Sequence, residues 1–159
     1  GFSFVFKARQ LKHSKLCDGW RNAEDGRKDK QAGMSFDRNR LNEMIMKITN
    51  YSFGHIEVDG LGYSSDVIIT PEGVQDGWWR KEGHNLAIED LDTVIAAKPD
   101  TLIIGSGYYG RMRVPGVTRS FLTGRGIRVE VVQTSEAVEV FNKLQQKYAR
   151  VVAALHLTC

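Results

Sequence analysis

Thr101-Leu102-Ile103-Ile104-Gly105-Ser106-Gly107 is the stretch that decides the fold. Its apolar residues follow one another without polar alternation, the pattern of a strand covered on both faces. The glycines behind it mark a sharp exit. Helix and strand signals alternate on either side. Upstream, Ile88, Leu91, Val94 and Ile95 recur at helical spacing, and Pro99 closes the segment. Glu89, Asp90 and Asp92 sit in its N-terminal half, where carboxylates complement the helix dipole. Downstream, residues 117–123 predict a short helix behind Pro115, and 127–132 predict the next strand. Thr134 or Ser135 can cap a third helix, on which Ala137, Phe141, Leu144 and Tyr148 share one face. Residues 150–157 read as the last strand. Such strand–helix–strand connections favour parallel pairing with helices packed on the sheet.

Before residue 84 the texture is different. Residues 47–53, 56–58 and 67–69 are rich in β-branched and aromatic side chains and read as short strands. Gly54, Asp59-Gly60 and Gly62 supply turns, as does Pro71-Glu72-Gly73. A further strand is expected over 77–80. The sum is one α/β domain over residues 44–159, with an antiparallel β-rich first half and a βαβαβ-like second half. Leu102, Ile104, Val129, Val131 and Leu144 are expected in its core.

Residues 1–43 carry ten Lys and Arg against six Asp and Glu, while 44–159 carry twelve against thirteen. The basic character therefore belongs to the leading segment, which buries too little apolar surface to offset its ordering entropy. It is expected to be a flexible leader, with Met34, Met44 and Met46 as candidate true starts. The nearly neutral remainder offers no broad electrostatic footprint for nucleic acid. Two cysteines, Cys17 and Cys159, are too few for a disulfide framework. No apolar run approaches the roughly 20 residues that span a bilayer. No secretory signal is visible either. A cytoplasmic chain with no membrane partner is expected.

Several pieces, taken in order, resemble the Mth-domain family. They are Trp78-Trp79-Arg80 with Gly83-His84, then the strand and glycines at 101–107, then Gly126-Ile127-Arg128-Val129. Gln133-Thr134 with Ala137 and Phe141-Asn142 follow, and Ala153-Ala154-Leu155-His156-Leu157-Thr158-Cys159 completes the set. Phe141 stands where the family pattern has tyrosine. The resemblance covers residues 47–159 and says nothing about 1–43. It implies a three-layer α/β fold around a mixed central sheet whose final strand runs antiparallel to its neighbours. The family includes a mitochondrial complex I assembly factor and the adipogenesis-associated Mth-domain protein. The resemblance implies no reaction.

Gly105-x-Gly107-x-x-Gly110 matches the dinucleotide fingerprint on paper, with Glu130 further on. A dinucleotide turn needs a helix opening directly from the glycines. Here residues 111–116, with Pro115, intervene, so the ordinary reading is a tight strand-exit loop and no cofactor is expected. If the strands over 101–104 and 127–132 are neighbours, Ser106, Gly107, Gln133 and Thr134 gather at their C-terminal ends, where open α/β sheets bind ligands. Amides at the start of the Thr134 helix, with Arg111 nearby, could then hold a small anion. Capping and a solvated loop are the plainer uses.

Trp78-Trp79-Arg80 is the other unusual feature. Tryptophan and arginine dominate interface hot spots, though one ring could equally belong to the core. His84 and His156 lack an evident nucleophile partner. Ser106 lacks the spacing of a nucleophile elbow. His156 and Cys159 would share a metal only on a helix, whereas this end reads as a strand, and two ligands leave a tetrahedral site half empty. No catalytic and no metal residue is assigned. The expected function is a non-enzymatic interaction or assembly module that binds another protein. The alternative is a small enzyme or an anion- or metabolite-binding protein working from the 105–110 loop. The candidate binding residues are Trp78, Trp79, Arg80, His84, Gly105, Ser106, Gly107, Tyr108, Gly110, Arg111, Gln133 and Thr134.

Overall fold

The computed structural model describes residues 45–147 and 150–159. The leader and Tyr148 lie outside these residues, and with them the leader's expected flexibility and the place of Tyr148 on its helix.

Three strands, β1 (Ile48–Ser52), β2 (His55–Val58) and β3 (Leu61–Tyr63), form a small antiparallel sheet in that order. Asp59 and Gly60, at φ of 50° and 81°, make the two-residue turn between β2 and β3, the geometry that Asp-Gly favours. β3 escapes the sequence reading because it is three residues long with Gly62 in its middle, which weakens any strand signal. A Cβ there would lie 2.9 Å from the His55 ring, which would have to move aside.

β4 (Val67–Thr70) turns through Pro71 and Glu72 into β5 (Gly73–Asp76). The Thr70 hydroxyl closes the turn by accepting from the Glu72 amide and donating to the Gly73 carbonyl. Pairing therefore begins at residue 73, and the strand expected over 77–80 does not form. A 3-10 turn over Ile88–Leu91 then leads into α1 (Asp92–Ala97), β6 (Thr101–Ser106), α2 (Gly116–Gly124), β7 (Arg128–Val132), α3 (Thr134–Leu144) and β8 (Val151–His156).

The large sheet has the order β5-β4-β8-β6-β7. β6, β7 and β8 run parallel, and β4 runs antiparallel to both β5 and β8. The final strand is thus antiparallel to β4 but parallel to β6, which corrects the expectation that it opposes its neighbours. The reason is the α3 crossover, which returns the chain to the end where β7 began. The step from β6 to β7 and the step from β7 back across β6 go in opposite directions. Right-handed connections then place their helices on opposite faces. Residue parity agrees. Ile68, Leu102, Ile104, Val152 and Ala154 pack with Leu91, Val94 and Leu122 on one face. Val67, Ile69, Ile103, Val151, Ala153 and Leu155 pack with Ala137, Phe141 and the small sheet's Ile56 and Val58 on the other. The result is three layers around a mixed sheet, as expected. Leu102 and Ile104 are fully buried, while Val129 and Val131 are half-buried because β7 is an edge strand. Leu144, in the last turn of α3, is also half-buried.

The small sheet is fastened to α3 by side-chain amides. Asn142 accepts from the Ile48 amide and donates to its carbonyl, and Gln145 does the same for Met46. Among the described residues no helix is long and apolar enough to cross a membrane.

Candidate functional site

β6 and β7 are adjacent and parallel, yet their exits lead to helices on opposite faces, which leaves a crevice beyond their C-terminal ends. Ser106, Gly107, Gln133 and Thr134 do gather there. The Ser106 hydroxyl donates to the Val132 carbonyl at 2.9 Å. The Gly107 amide donates to Thr134 Oγ1 at 2.9 Å, and the Thr134 amide donates to the Gly107 carbonyl at 3.1 Å. A Cβ at Gly110 would touch Gln133 Cγ at 3.2 Å.

The chain itself fills this crevice. The segment after β8 crosses it, with Tyr108 donating its amide to the Thr158 carbonyl and Arg111 donating to that of Cys159. Gly107, at φ 107°, leaves no room for a Cβ, which would sit 2.5 Å from the Thr158 carbonyl oxygen. A Cβ at Gly105 would sit 2.7 Å from Thr134 Oγ1. Thr134 is not the cap expected of it. Gln133 holds the N-cap position, and the Thr134 hydroxyl instead donates to the His156 carbonyl at 2.6 Å. A buried amide and a buried carbonyl both need partners there, and that need outweighs capping.

The strand-exit reading of the glycines holds, and the amides around them are already engaged. The helix after the glycines begins at Gly116, and the backbone of Thr158 and Cys159 lies over Gly107, so the glycine fingerprint serves close packing. The amides of Gly107, Tyr108, Gly110, Arg111, Met112 and Thr134 all donate within the chain, so these six have no N–H left to offer a small anion. Arg111 instead lines a cavity of about 660 Å³ with Glu82, His84, Asn85, Gly110 and Arg113.

Trp78-Trp79-Arg80 divides by burial. Trp78 is buried and its indole N–H donates to the Asp90 carbonyl at 2.9 Å. Arg80 is buried with its guanidinium carbon 4.6 Å from the centre of the Trp78 ring. Trp79 is 76% exposed. Trp78 and Arg80 therefore leave the candidate contact surface and join the core. The Trp78 amide donates to the Asp66 carbonyl.

Arg80 belongs to a buried polar network centred on Asp66. Asp66 Oδ2 accepts from an Arg80 terminal nitrogen at 2.7 Å and from His156 Nδ1 at 2.8 Å. Oδ1 accepts from the Leu157 amide at 2.8 Å. Burial pushes this carboxyl up, but the hydrogen bonds from His156, the Leu157 amide and Arg80 hold it below the ordinary carboxylate value. Nδ1 also lies 2.9 Å from the same Arg80 nitrogen. A guanidinium nitrogen only donates, so the two contacts compete for Nδ1, and the ionised carboxylate, the strongest acceptor present, assigns the Nδ1 proton to Asp66. Nε2 then carries the lone pair, and that atom is buried with no partner. The His84 ring stands edge-on to His156, with centroids 5.8 Å apart.

On the surface, aromatic rings from two separate turns meet. Tyr108 contacts Phe53 at 5.5 Å, Tyr109 at 5.0 Å and Tyr51 at 6.3 Å between centroids. Phe53 and Tyr109 are each more than half exposed, and Arg111 lies 6.0 Å from the centre of the Tyr109 ring. Asp66, Tyr51 and Phe53 were not among the candidates drawn from the sequence. Asp66 sits in an unremarkable Ser-Ser-Asp run, and its partners lie 14 and 90 residues away. Phe53 is brought beside the chain's last residues by the hairpin at Gly54, whose amide donates to the Leu157 carbonyl, a contact that no pattern in the sequence announces.

The family described as a protein of unknown function (DUF498/DUF598) matches residues 48–156. A conserved hypothetical protein from Pyrococcus horikoshii OT3 has a similar solved structure, at 26% identity and a TM-score of 0.62, covering 72% of this chain and 100% of that one. A protein from Rhodopseudomonas palustris is similar at 27% identity and a TM-score of 0.59, covering 69% of this chain and 81% of that one. A Mth938-like domain from Bordetella pertussis shares the fold at 23% identity and a TM-score of 0.59, over 72% of this chain and 87% of that one. The chain thus belongs to the DUF498 family, whose solved relatives include Mth938-like α/β domains.

Proposed function

We propose that this domain is a non-enzymatic protein-interaction module, of the assembly-factor kind, that docks another protein on the aromatic surface built from Phe53, Tyr108 and Tyr109. The supporting observation is the meeting of these rings, from the β1–β2 turn and the β6 exit loop, in mutual contact yet largely exposed. Aromatic rings bury much area for little lost rotamer freedom, and Arg111 at the Tyr109 ring adds a second residue type favoured at hot spots. Trp79 is a further exposed anchor of the same kind. The near-neutral charge of residues 44–159 speaks against nucleic acid as the partner. A cytoplasmic setting is part of the same proposal and rests on the sparse cysteines.

The test is site-specific photo-crosslinking from position 109 in cells, followed by affinity measurement with the protein that is captured. Phe53→Ala with Tyr109→Ala should weaken that partner by about 2 kcal/mol or more while leaving the thermal midpoint nearly unchanged. An unchanged affinity in the double variant would retire the surface.

A further inference from the structure

Beyond the docking surface, and independently of it, the ends of three segments converge on a set of metal-binding atoms. His156 is the last residue of β8 and pairs in register with Ser106. The segment after β6 passes directly beside it and holds two other pieces of chain. Arg113 donates its amide to the His84 carbonyl, and Arg111 donates to that of Cys159. His84, His156 and Cys159 are thereby brought together from positions up to 75 residues apart in the sequence. One ligand atom from each, an imidazole nitrogen from both histidines and the thiol sulfur, lies within 4.8 Å of the others.

We propose that His84, His156 and Cys159 form a binding site for a divalent cation of the zinc class. The first support is chemical. Two imidazoles and a thiol are nitrogen and sulfur donors, the set that suits zinc rather than magnesium or calcium. The second is the state of His156. Its side chain is 7% exposed, and Nε2 is buried without a hydrogen-bond partner. A buried polar nitrogen in that condition is costly unless something occupies its lone pair. The third is the support behind the ring. Nδ1 lies 2.8 Å from Asp66 and 2.9 Å from Arg80, and with its N–H donated to the carboxylate this is the carboxylate–histidine arrangement that leaves the Nε2 lone pair for a metal. Arg80 balances the carboxylate charge at 2.7 Å, so the buried shell is neutral before the ion and the thiolate arrive.

Bonds of about 2.0 Å to nitrogen and 2.3 Å to sulfur, at tetrahedral angles, set ligand atoms about 3.3–3.6 Å apart. The three groups must therefore close by about 1 Å. His156 is fixed by its network, so the movement falls to His84, which is exposed, and Cys159, which is half-buried. His84 also lines the 660 Å³ cavity with Arg111 and Arg113, which gives an ion a route in and leaves solvent or an anion to complete the coordination.

The experiment is titration of the full chain, reduced, with cobalt(II) and then zinc(II). A sulfur-to-cobalt charge-transfer band that saturates at one ion per chain, and that zinc abolishes, is expected. Cys159→Ser should remove the band. His84→Asn should weaken binding at least about tenfold, and Asp66→Asn by about 10–100-fold, as loss of an outer partner does. Cys17→Ser should leave it unchanged. Zinc should raise the thermal midpoint of the unmodified chain and not that of Cys159→Ser, with the far-ultraviolet circular dichroism of Cys159→Ser and His84→Asn unchanged. Absence of the band, its survival in Cys159→Ser, equal affinity in His84→Asn, or its loss in Cys17→Ser would each overturn the assignment.

Discussion

Replacing Asp66 with asparagine tests the buried network most directly. The substitution keeps the shape of the side chain and an oxygen for the Leu157 amide, but removes the charge facing Arg80 and His156. Arg80 is left as a cation whose side chain is only 5% exposed. Breaking a buried pair by removing one partner costs about 3–5 kcal/mol. Asp66 retains 16% of its side-chain exposure, and Arg80 keeps its contact with Trp78, so the lower end, about 3 kcal/mol, is expected. Urea unfolding at neutral pH reads the change as a lower midpoint at constant slope. Adding Arg80→Met to Asp66→Asn removes both charges and should recover much of the loss, because apolar replacement of a whole buried pair is often near neutral. Acid provides a second reading of the same pair. The folded-state pKa of Asp66 lies below its ordinary 3.8, so its contribution is complete above that value and is lost as pH falls through the lower one. The unmodified protein should therefore lose stability below about pH 4, and Asp66→Asn should show a shallower decline over that window. A loss under about 1 kcal/mol for Asp66→Asn, the range of screened surface pairs, would refute the reasoning.

Other substitutions separate packing from surface. Trp78→Ala should cost about 3–5 kcal/mol, as truncation of a buried aromatic does, while Trp79→Ala should stay within about 0.5 kcal/mol; thermal or urea unfolding of the two variants side by side checks the assignment. Ile104→Ala, on an inner strand of the large sheet, should cost about 2–5 kcal/mol, and a smaller change would place β6 nearer the surface than its burial says. Gly107→Ala should destabilise by about 2 kcal/mol or more, through the unfavourable φ and the contact with the Thr158 carbonyl. Gly83→Ala, with open space around it, is the control and should be nearly silent in the same assay.

The second half of the chain was legible because its signals are local. The run at 101–104, the amphipathic spacing through 134–144 and the final apolar run each carry their own periodicity, and parallel pairing follows from their alternation. The first half was less so. β3 is too short to show a period, and residues 77–80 hold two tryptophans that propensity alone assigns to a strand. The meeting of Ser106, Gly107, Gln133 and Thr134 followed from strand adjacency and could be anticipated. The Asp66–Arg80–His156 network could not, because Asp66 and His156 meet only through the antiparallel placement of β4 beside β8, and Arg80 joins them from the irregular segment after β5. His156 and Cys159 stood three residues apart in plain view, but their third companion, His84, arrives through the loop after β6, and no pattern in the sequence announces that approach.

The placement of β8 has a consequence for how the protein comes into being. Of the strands of the large sheet, residues 151–156 are the last to leave the ribosome, yet they occupy its middle, between β4 and β6. Until they emerge, β4–β5 and β6–β7 are two separate ribbons, each with an unpaired apolar edge. Chains in that state pair readily with one another, and only a late insertion closes the gap. Nascent chains paused before residue 151 should therefore depend on chaperones, and slowing translation cannot help the domain fold piece by piece.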